Sequence, residues 1–454
     1  MNYLESNKLL NPNHHGCRQG HNTATALLQM CDQWLEEVDS DLMVGVMLVD
    51  LSAAFDMVDH SILLKKLDLY GLDKHSISWM NSYLSRRTQV VMVDGCLSPP
   101  LNITCGVPQG SILGPLLYIL FTNELPEVIH NECRNTDMRN KVAEQAWPKY
   151  TMLCKDCGSI GCYADDSTYT CSGKTAEALS VQLTNKYKVM SDFLVSNKLK
   201  LNDDKTHLMV MSTSQARAIR RGGIKDSTKV EIRTLSEVVH PSEHEKLLGC
   251  VVHEDMKFGE HLISNEESLL RSLNTRICGL KMLSKLASFK TRKMVADGII
   301  MSKLIYLIPL WGGSAKNIIA ALQKAQNRAA RVVTKLDWAT HTAELLKQCG
   351  WMSIHQLAYY HSVVLVYKII RNESPRFLFS MFSAKYSYET KQSKKGIIKH
   401  TRDLDLAITE DSFRWRASKD YNELPIEIRT LDEIESFKKA CKIWITNSIP
   451  LSPP

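Results

Sequence analysis

The order of apolar and polar positions predicts a helix followed by a buried strand near the start of the chain. Within residues 21–38 apolar side chains recur every three or four positions after a polar Asn-Thr pair, as on an amphipathic helix. Residues 42–51 are instead almost continuously apolar up to Asp50. Such a run is typical of a strand buried on both faces, and this strand would present one carboxylate at its end.

Three further stretches predict turns between regular elements. Residues 86–98 alternate around Asp94-Gly95, as a β-hairpin does. Residues 108–120 predict a glycine-rich loop that runs into a helix. Residues 160–173 are rich in Tyr and Thr, which favour strands, and predict a second hairpin with Asp165-Asp166 at its tip.

The rest of the pattern separates a mixed first half from a helical second half. Helical spacing is found at residues 60–72 and from about 175 to 200, and residues 201–212 predict a turn and then a strand. Beyond residue 260 the pattern is almost entirely helical. A chain of 454 residues exceeds what one hydrophobic core usually serves, so we expect an α+β half, a helical half and a weaker boundary near residue 340.

Positive charge is concentrated in one part of the chain. The formal net charge of +7 is modest. Residues 271–335, however, contain thirteen Lys or Arg and the single acid Asp297. This concentration favours a partner that carries phosphate.

The chain start and the cysteines indicate the compartment. The first twelve residues have neither a basic nor an apolar signal region, and no stretch is long and apolar enough to span a membrane. Thirteen scattered cysteines fit reduced thiols better than disulfides. We therefore expect an intracellular protein, in the nucleus or the cytoplasm, that is not secreted and has no membrane partner.

Three carboxylates lie at the ends or tips of apolar strands, namely Asp50, Asp165 and Asp166. Burial there is costly unless a cation is bound, and hard cations such as Mg²⁺ require oxygen ligands. A pair of divalent ions at such a site can support nucleotidyl transfer. The alternative is that Asp165-Asp166 is an ordinary acidic turn.

Three segments in order resemble those of one protein family. Residues 49–60 (VDLSAAFDMVDH), 106–118 (GVPQGSILGPLLY) and 163–166 (YADD) resemble motifs A, B and C of the reverse transcriptases of non-LTR retrotransposons, of the LINE-type, jockey-like kind. The resemblance implies an RNA-directed DNA polymerase with a right-hand fold of palm, fingers and helical thumb. Group II intron maturases and telomerases share this palm chemistry and are weaker alternatives.

The resemblance also implies roles for residues of the three motifs. Asp50, Asp165 and Asp166 would hold two Mg²⁺ ions, for which Mn²⁺ is a substitute. Phe55 would be the steric gate that excludes a ribose 2′-hydroxyl, or else an ordinary core aromatic. Gln109 and Gly110 would bind the nucleotide, with Gly106 and Gly110 allowing close approach of the backbone; the alternative for this loop is a plain helix start.

Four residues outside motifs A, B and C also lie in segments that resemble motifs of the family. Arg18, in a segment similar to the fingers motif, would grip the triphosphate, although His14, Cys17 and His21-Asn22 depart from the usual wording. Lys205 would protonate the pyrophosphate that leaves, and Leu248 with Gly249 would form the primer grip. A solvated arginine, a surface lysine and a buried hairpin are the respective alternatives.

Residues 304–335 resemble the thumb of the same family. Four basic residues there share one helical stripe, while Ile318, Leu322, Ala325, Ala329 and Val332 can face a core. The stripe would track the template and primer, or else be a solvated helix face. Its members are Lys324, Arg328, Arg331 and Lys335.

An insertion at about 130–161 interrupts the resemblance. It contains Cys154 and Cys157 at zinc-ligand spacing, with His130, Cys133 and Cys162 near in sequence. Only one such cysteine pair is present, and Cys162 adjoins the YADD hairpin, where an apolar position is expected. We therefore expect reduced thiols and no zinc.

The resemblance implies the following organisation and partners. Partial fingers would cover 1–45, the palm with motifs A to E 46–255, the thumb or connector 256–340, and a helical C-terminal region 341–454. The partners would be an RNA template, a DNA primer and dNTPs, with a separate endonuclease or a missing fingers segment, because we expect the chain to be truncated at its N-terminus. The alternative function is a catalytically inactive relic that binds nucleic acid.

Overall fold

The computed structural model describes residues 2–128, 158–212, 226–371, 373–382 and 412–453. The chain forms two compact units. Unit 1 comprises Met1–Ala26 and Ser40–Glu243, and unit 2 comprises Leu27–Asp39 and His244–Pro454. Within the described ranges, no helix is both long and apolar enough to cross a bilayer.

Unit 1 is built on a five-stranded sheet made of β1 (Met43–Val49), β6 (Ser159–Tyr163), β7 (Asp166–Gly173), β8 (His207–Met211) and β11 (Pro241–Ser242). The strands lie in the order β11-β8-β1-β7-β6. Neighbouring strands are antiparallel except for β11 and β8, which are parallel. Strand β1 lies in the middle, and six of its seven residues are buried, as the continuous apolar run predicts.

Short strand pairs and helices complete unit 1. The pairs are β2 (Arg87–Gln89) with β5 (Leu101–Ile103), β3 (Met92–Val93) with β4 (Cys96–Leu97), and β9 (Ile232–Arg233) with β10 (Val238–Val239). The helices are α1 (Asn2–Ser6), the first residues of α2 (Thr23–Asp39), α3 (His60–Leu69), α4 (Lys74–Leu84), α5 (Leu113–Thr122), α6 (Leu125–Val128) and α7 (Ala176–Ser196). Single 3₁₀ turns occur at Asp203–Lys205 and Ser227–Lys229.

Local chemistry explains where several of these elements begin. The Asp59 and Asp73 carboxylates cap helices α3 and α4 by accepting hydrogen bonds from backbone N–H groups of the first turn. The β3–β4 hairpin turns at Asp94-Gly95, and both residues have positive φ, which a two-residue turn of type I′ requires. The hairpin predicted from this dipeptide is thus confirmed.

The core of unit 1 forms where helix α7 packs on the sheet. Gly45 of β1 makes this possible, since a Cβ atom there would come within 3.0 Å of Leu183 and 3.2 Å of Leu179. Leu179 and Leu183 are fully buried. Helix α7 therefore covers one face of the sheet. The ends of the strands are available for side chains with other roles.

Unit 2 is helical apart from one strand pair, β12 (His244–Leu247) with β13 (Cys250–His253). Its helices are the rest of α2, α8 (Leu269–Leu283), α9 (Phe289–Ala296), α10 (Ser302–Ile305), α11 (Ile308–Trp311), α12 (Lys316–Thr334), α13 (Thr342–Cys349), α14 (Ile354–Ile370), α15 (Arg376–Phe379), α16 (Phe413–Glu423), α17 (Ile426–Arg429) and α18 (Ile434–Ser448). Segments of π-helix occur at Glu260–Ser264 and Asp297–Met301, and a 3₁₀ turn at Ser380–Phe382.

Two buried polar residues tie the helices of unit 2 together. Gln326 of α12 is fully buried, and its amide donates to the Met352 carbonyl at 2.9 Å. Arg414 of α16 forms ion pairs with Asp32 and Glu36 of α2. Because a buried charge is costly without a partner, the Arg414 ion pairs fix the α2 segment of unit 2 against α16.

Candidate functional site

The sheet of unit 1 brings Asp50 beside Asp166. Asp50 follows directly after β1, and Asp166 is the first residue of β7. Val49 pairs with Ser167 across these antiparallel strands, so the same register aligns Asp50 with Asp166. The two residues are far apart in the sequence, and the strand pairing alone makes them adjacent.

Asp165 lies in the turn between β6 and β7. Tyr163 pairs with Asp166, which leaves Ala164 and Asp165 as a two-residue turn. The Ala164 backbone has a φ of 57°, a conformation that usually requires glycine. The predicted tip at Asp165-Asp166 is therefore displaced by one residue, because Asp166 already belongs to the strand ladder.

These carboxylates affect one another electrostatically. Burial, followed by the negative charges of Asp165 and Asp50, raises the pKa of the Asp166 carboxyl above its usual range. Lys205 partly offsets the charge, since its ammonium lies 3.1 Å from the Asp50 carboxylate. Among the residues that the structure describes, no three His, Cys, Asp or Glu side chains converge as a ready metal-binding group.

The chemistry of the donors nevertheless fits divalent cations. Asp50, Asp165 and Asp166 supply only oxygen atoms, which Mg²⁺ and Mn²⁺ prefer. The raised pKa of Asp166 means that added positive charge would relieve repulsion between like charges at this place.

Residues 13–16 run along the outer edge of the β6–β7 hairpin. The Cys162 amide donates to the Asn13 carbonyl, and the His15 amide donates to the Cys162 carbonyl, both at 2.8 Å. Gly16 packs directly on the turn, because a Cβ atom there would lie 2.7 Å from the Ala164 nitrogen. We call residues 13–16 the edge segment; it braces the hairpin that carries Asp165 and Asp166.

Buried histidines hold the edge segment in place. His14 is almost fully buried, and its Nε2 lies 3.2 Å from the Thr122 carbonyl at the end of α5. Burial lowers the pKa of His14 to about 4 and that of His15 to about 3. Both rings are therefore neutral at pH 7, and His14 can donate its Nε2–H to the carbonyl.

Arg18 has a set of contacts that differs from the predicted one. Its guanidinium binds both oxygens of the Glu5 carboxylate at 2.8 Å and donates to the carbonyls of Asn11 and His14 at 2.7 and 2.9 Å. Its side chain is 7% exposed. The structure thus uses Arg18 to clamp the chain that leads into the edge segment, and its contact with a triphosphate stays a prediction.

The loop of motif A and the Pro-Gln-Gly loop of motif B are joined by backbone and side-chain contacts. The Gly106 amide donates to Val58 at 2.8 Å, and the His60 ring lies 2.7 Å from the Gly106 carbonyl. A Cβ atom on Gly106 would meet the Asp56 carbonyl oxygen at 2.7 Å. Glycine is therefore required at residue 106 for the two loops to approach.

The side chains predicted to contact a nucleotide lie on these loops. Gln109 is exposed, and its amide donates to the Asp56 carboxylate at 3.0 Å. Gly110 has a φ of 81° with open space where a Cβ atom would be. Phe55 is half-buried and stacks on Tyr118 of α5, with ring centroids 4.4 Å apart.

The predicted primer grip is the turn of the β12–β13 hairpin in unit 2. Leu248 and Gly249 both have positive φ, as in a type I′ turn. The Tyr306 hydroxyl donates to the Leu248 carbonyl at 2.7 Å. This turn is therefore fixed from within unit 2.

Three of the four residues of the predicted basic stripe lie on α12, with unequal exposure. Lys324 and Arg328 are exposed, whereas Arg331 is partly buried and donates to the Trp338 carbonyl at 3.0 Å. Lys335 is exposed but follows the end of the helix with a φ of 61°, so it does not continue the predicted stripe. On the opposite face Leu322, Ala325 and Ala329 are buried as predicted, but Ile319 and Val333 are buried in place of Ile318 and Val332. Arg292, one of the thirteen basic residues counted above, is also buried and donates to the Val333 carbonyl.

The possible zinc ligands are not part of the described chain, except for one. His130, Cys133, Cys154 and Cys157 lie outside the described residues. Cys162 is buried in β6, as expected for an apolar strand position, and burial raises its pKa to about 12. The cysteines within the described ranges are free thiols.

Three contributors to this site were missed in the sequence. Gly16, Tyr118 and Asp56 all lie inside the segments that carry the motifs, but their contacts are with residues far away along the chain. Only the glycine gives a usable signal, since glycine is the residue that allows close approach of another backbone.

Known proteins match this chain over most of its length. The model of the family described as reverse transcriptase (RNA-dependent DNA polymerase) matches residues 1–251. The probable RNA-directed DNA polymerase from transposon BS of Drosophila melanogaster is 28% identical over 353 residues, which cover 74% of this chain and 34% of that protein. The RNA-directed DNA polymerase from the mobile element jockey of Drosophila funebris is 26% identical, covering 73% of this chain and 32% of that protein.

The chain spans about a third of the length of these curated relatives. Among solved structures, a telomerase from Candida tropicalis in complex with a fragment of telomeric RNA aligns at 12% identity, covering 72% of this chain and 53% of that one, with a TM-score of 0.35. This likeness is too low to support a structural argument. Because the family model matches more than half of the sequence, the chain belongs to the reverse transcriptase (RNA-dependent DNA polymerase) family, among the jockey-like members of non-LTR retrotransposons.

Proposed function

We propose that this chain is an RNA-directed DNA polymerase that adds deoxynucleotides to the 3′-hydroxyl of a DNA primer on an RNA template. The observation that carries the proposal is the register of β1 and β7, which aligns Asp50 with Asp166 beside the turn that holds Asp165. Three carboxylates at one end of a sheet, within motifs A and C of the family, suit phosphoryl chemistry that depends on divalent ions.

Asp50, Asp165 and Asp166 would hold two Mg²⁺ ions. When bound, such ions lower the pKa of an attacking hydroxyl and stabilise the in-line transition state. Lys205 lies 3.1 Å from Asp50 and would supply the proton that the leaving pyrophosphate requires. This role needs a mobile ammonium, and the Lys205 side chain is 66% exposed.

The loops of motifs A and B would receive the nucleotide. The Phe55 ring would block the space of a ribose 2′-hydroxyl, while Gln109 would contact the incoming nucleotide and the template. Gly110 would let the backbone approach them closely, since a Cβ atom there would meet open space. Gln109 already has a partner in the Asp56 carboxylate, so binding of the nucleotide would exchange one hydrogen bond for another.

We assign residues 1–45 to partial fingers, 46–255 with the sheet of unit 1 to the palm, 256–340 to the helical thumb or connector and 341–454 to a helical C-terminal region. Leu248 and Gly249 would then grip the primer. Lys324 and Arg328 on α12, with Lys335 just beyond its end, would contact phosphates of the template and primer, since exposed basic side chains can follow a nucleic-acid backbone.

The test is incorporation of dNTPs on an RNA template with a DNA primer and Mg²⁺. The parent chain should extend the primer, and an Asp165→Ala, Asp166→Ala double variant should lose at least ~1,000-fold in rate, as is typical when a catalytic group is removed. A Glu266→Ala, Glu267→Ala variant is the matched control, because it also removes two adjacent acids but on an exposed surface.

Binding of the primer-template is measured in parallel for all three proteins. Loss of extension with binding retained in the double variant supports the proposal. A parent chain that binds the primer-template but extends nothing would contradict it and leave a nucleic-acid-binding chain without polymerase activity.

A further inference from the structure

The position of the Phe55 ring depends on a neighbour that belongs to another motif. Phe55 is half-buried, and its ring stacks on Tyr118 with centroids 4.4 Å apart and planes inclined by 25°. Offset stacking at this distance is a favourable arrangement for two aromatic rings. Tyr118 therefore offers a flat surface on which one face of Phe55 rests.

The Phe55 backbone is attached to the same segment. Its carbonyl accepts a hydrogen bond from the Val107 amide at 2.9 Å. Val107 is buried and precedes the Pro-Gln-Gly loop, while Tyr118 follows that loop in α5. Both attachments of Phe55 thus come from residues 106–118, one for its backbone and one for its ring.

Tyr118 is itself firmly placed. Its ring is 1% exposed within the core of unit 1, and its hydroxyl has no hydrogen-bond partner within the described part of the chain. Burial, followed by the charges of Cys162, Asp165, Asp166 and Asp50, raises the pKa of that hydroxyl, so it stays protonated. A side chain held by packing over its whole surface gives a rigid support.

We propose that Tyr118 is a positioning residue that holds the Phe55 ring in place and thereby sets the discrimination between deoxyribonucleotides and ribonucleotides. The inference rests on the proposed function, in which Phe55 blocks the ribose 2′-hydroxyl. It goes further, since it assigns part of the sugar selectivity to a buried residue that no nucleotide would touch, in addition to the half-buried Phe55.

The two parts of Tyr118 have different consequences. Stacking requires only the ring, so the hydroxyl is dispensable for support. An aliphatic side chain in its place would let the Phe55 ring reach other rotamers. Loss of one stacked aromatic pair typically shifts an equilibrium by about 3- to 10-fold, so selectivity should fall by that amount.

The experiment compares Tyr118→Leu, Tyr118→Phe and the parent by their kcat/KM for a dNTP and the matching rNTP on one primer-template. Tyr118→Leu should lower the ratio of the two values by about 5-fold, mainly by raising rNTP use. Tyr118→Phe should keep the parent's ratio. Phe121→Leu is the matched control, because Phe121 is also fully buried in α5 but packs under the Lys66 ammonium.

A second measurement follows the Phe55 ring without catalysis. With ¹³C-labelled phenylalanine, the aromatic signal that disappears in Phe55→Leu is assigned to Phe55. Tyr118→Leu should shift this signal because the ring current of the tyrosine is lost, and Tyr118→Phe should shift it less.

The outcomes separate the two proposals. A parent chain that extends the primer, with an unchanged ratio in Tyr118→Leu, overturns this inference and leaves the polymerase intact. A parent chain that extends nothing overturns the polymerase, and an unshifted Phe55 signal in Tyr118→Leu then overturns the support by Tyr118 as well.

Discussion

Gly16 makes one of the tightest backbone contacts at the site. A methyl group there would lie 2.7 Å from the backbone nitrogen of Ala164 and 3.4 Å from its Cα. Backbone cannot give way as the end of a flexible side chain can. Any substitution must therefore push the edge segment away from the turn that carries Asp165.

We predict that Gly16→Ala lowers both the melting temperature and the rate of dNTP incorporation. Forced contacts of this kind cost about 1–3 kcal/mol, and the displaced turn should reduce incorporation by at least ~10-fold. Thermal unfolding and primer extension measure the two effects. Gly279→Ala, where a Cβ atom would meet nothing within 4 Å, serves as the control. It should leave incorporation unchanged and should not lower the melting temperature, because alanine favours a helix interior; equal behaviour of the two variants would contradict the close contact.

The sequence identified the residues with strong local signals and missed those defined by distant contacts. Asp50, Asp165 and Asp166 were predictable because each ends an apolar strand or lies in its turn. The clamp of Arg18 was not, since Glu5 is thirteen residues away and no pattern links the two. Tyr118 is recognisable only as part of a motif, because its stacking on Phe55 produces no pattern in the sequence.

Among the secondary-structure elements, the edge segment differs most from the sequence expectation. Its bonds to β6 are non-local, so the alternation of residues near 13–16 gave no indication of a strand-like pairing. By contrast, β1, α7 and the hairpin at Asp94-Gly95 were predicted because their signals are local. Elements with local patterns were thus predictable, whereas the pairing of residues 13–16 with β6 was not.

We predict that the edge segment loosens in mild acid. Burial lowers the pKa of His14 to about 4 and of His15 to about 3 from the usual 6.5, with Arg18 and His21 adding to the effect on His15. A depressed pKa means that the bound segment is fully stable above pH 6.5 and loses stability as the pH falls from 6.5 toward 4. When the segment is released, the two histidines regain their usual pKa and bind protons that they do not bind in the folded state.

Hydrogen exchange of the Cys162 and His15 amides measures this loosening, because both amides bond across the edge. After correction for the intrinsic rate, protection should fall by at least ~10-fold between pH 7 and pH 5. His14→Gln, which keeps a donor for the Thr122 carbonyl but does not titrate, should weaken the dependence on pH. Constant protection over this range would rule out the neutral, buried state of the histidines.

At the scale of the whole molecule, the segment rich in basic residues does not coincide with either of the two compact units. Most of the basic residues at 271–335 belong to helices of unit 2, yet Arg292 and Arg331 use their guanidinium groups to bind backbone carbonyls. A count of basic residues in the sequence includes Arg292 and Arg331 together with the exposed ones, because composition contains no information on burial. The division of the chain at Glu243 was also hidden, since the short strand β11 keeps residues 241–242 in the sheet of unit 1.

We predict that Lys324→Gln with Arg328→Gln reduces the salt dependence of primer-template binding. Each phosphate contact contributes about 0.7 to 0.9 to the slope of log K against log salt, so the slope should fall by about 1.5. Titrations between roughly 50 and 200 mM salt measure it. Lys439→Gln with Lys442→Gln is the control, because it removes the same charge from exposed positions of α18, and it should leave the slope unchanged. If the slope falls equally in both variants, the salt dependence comes from net charge and not from phosphate contacts on α12.

The interleaving of the two units has a consequence for synthesis of the protein. Leu27–Asp39 belongs to unit 2, but the rest of that unit begins only at His244. At a synthesis rate of about 5–20 residues per second, roughly 10–40 s pass before the first residues of that region leave the ribosome, and about 20–75 s before Arg414 does. During that time Trp34 and Leu27, both fully buried in the folded protein, are not covered by the rest of unit 2 and can bind chaperones or pack against non-native residues.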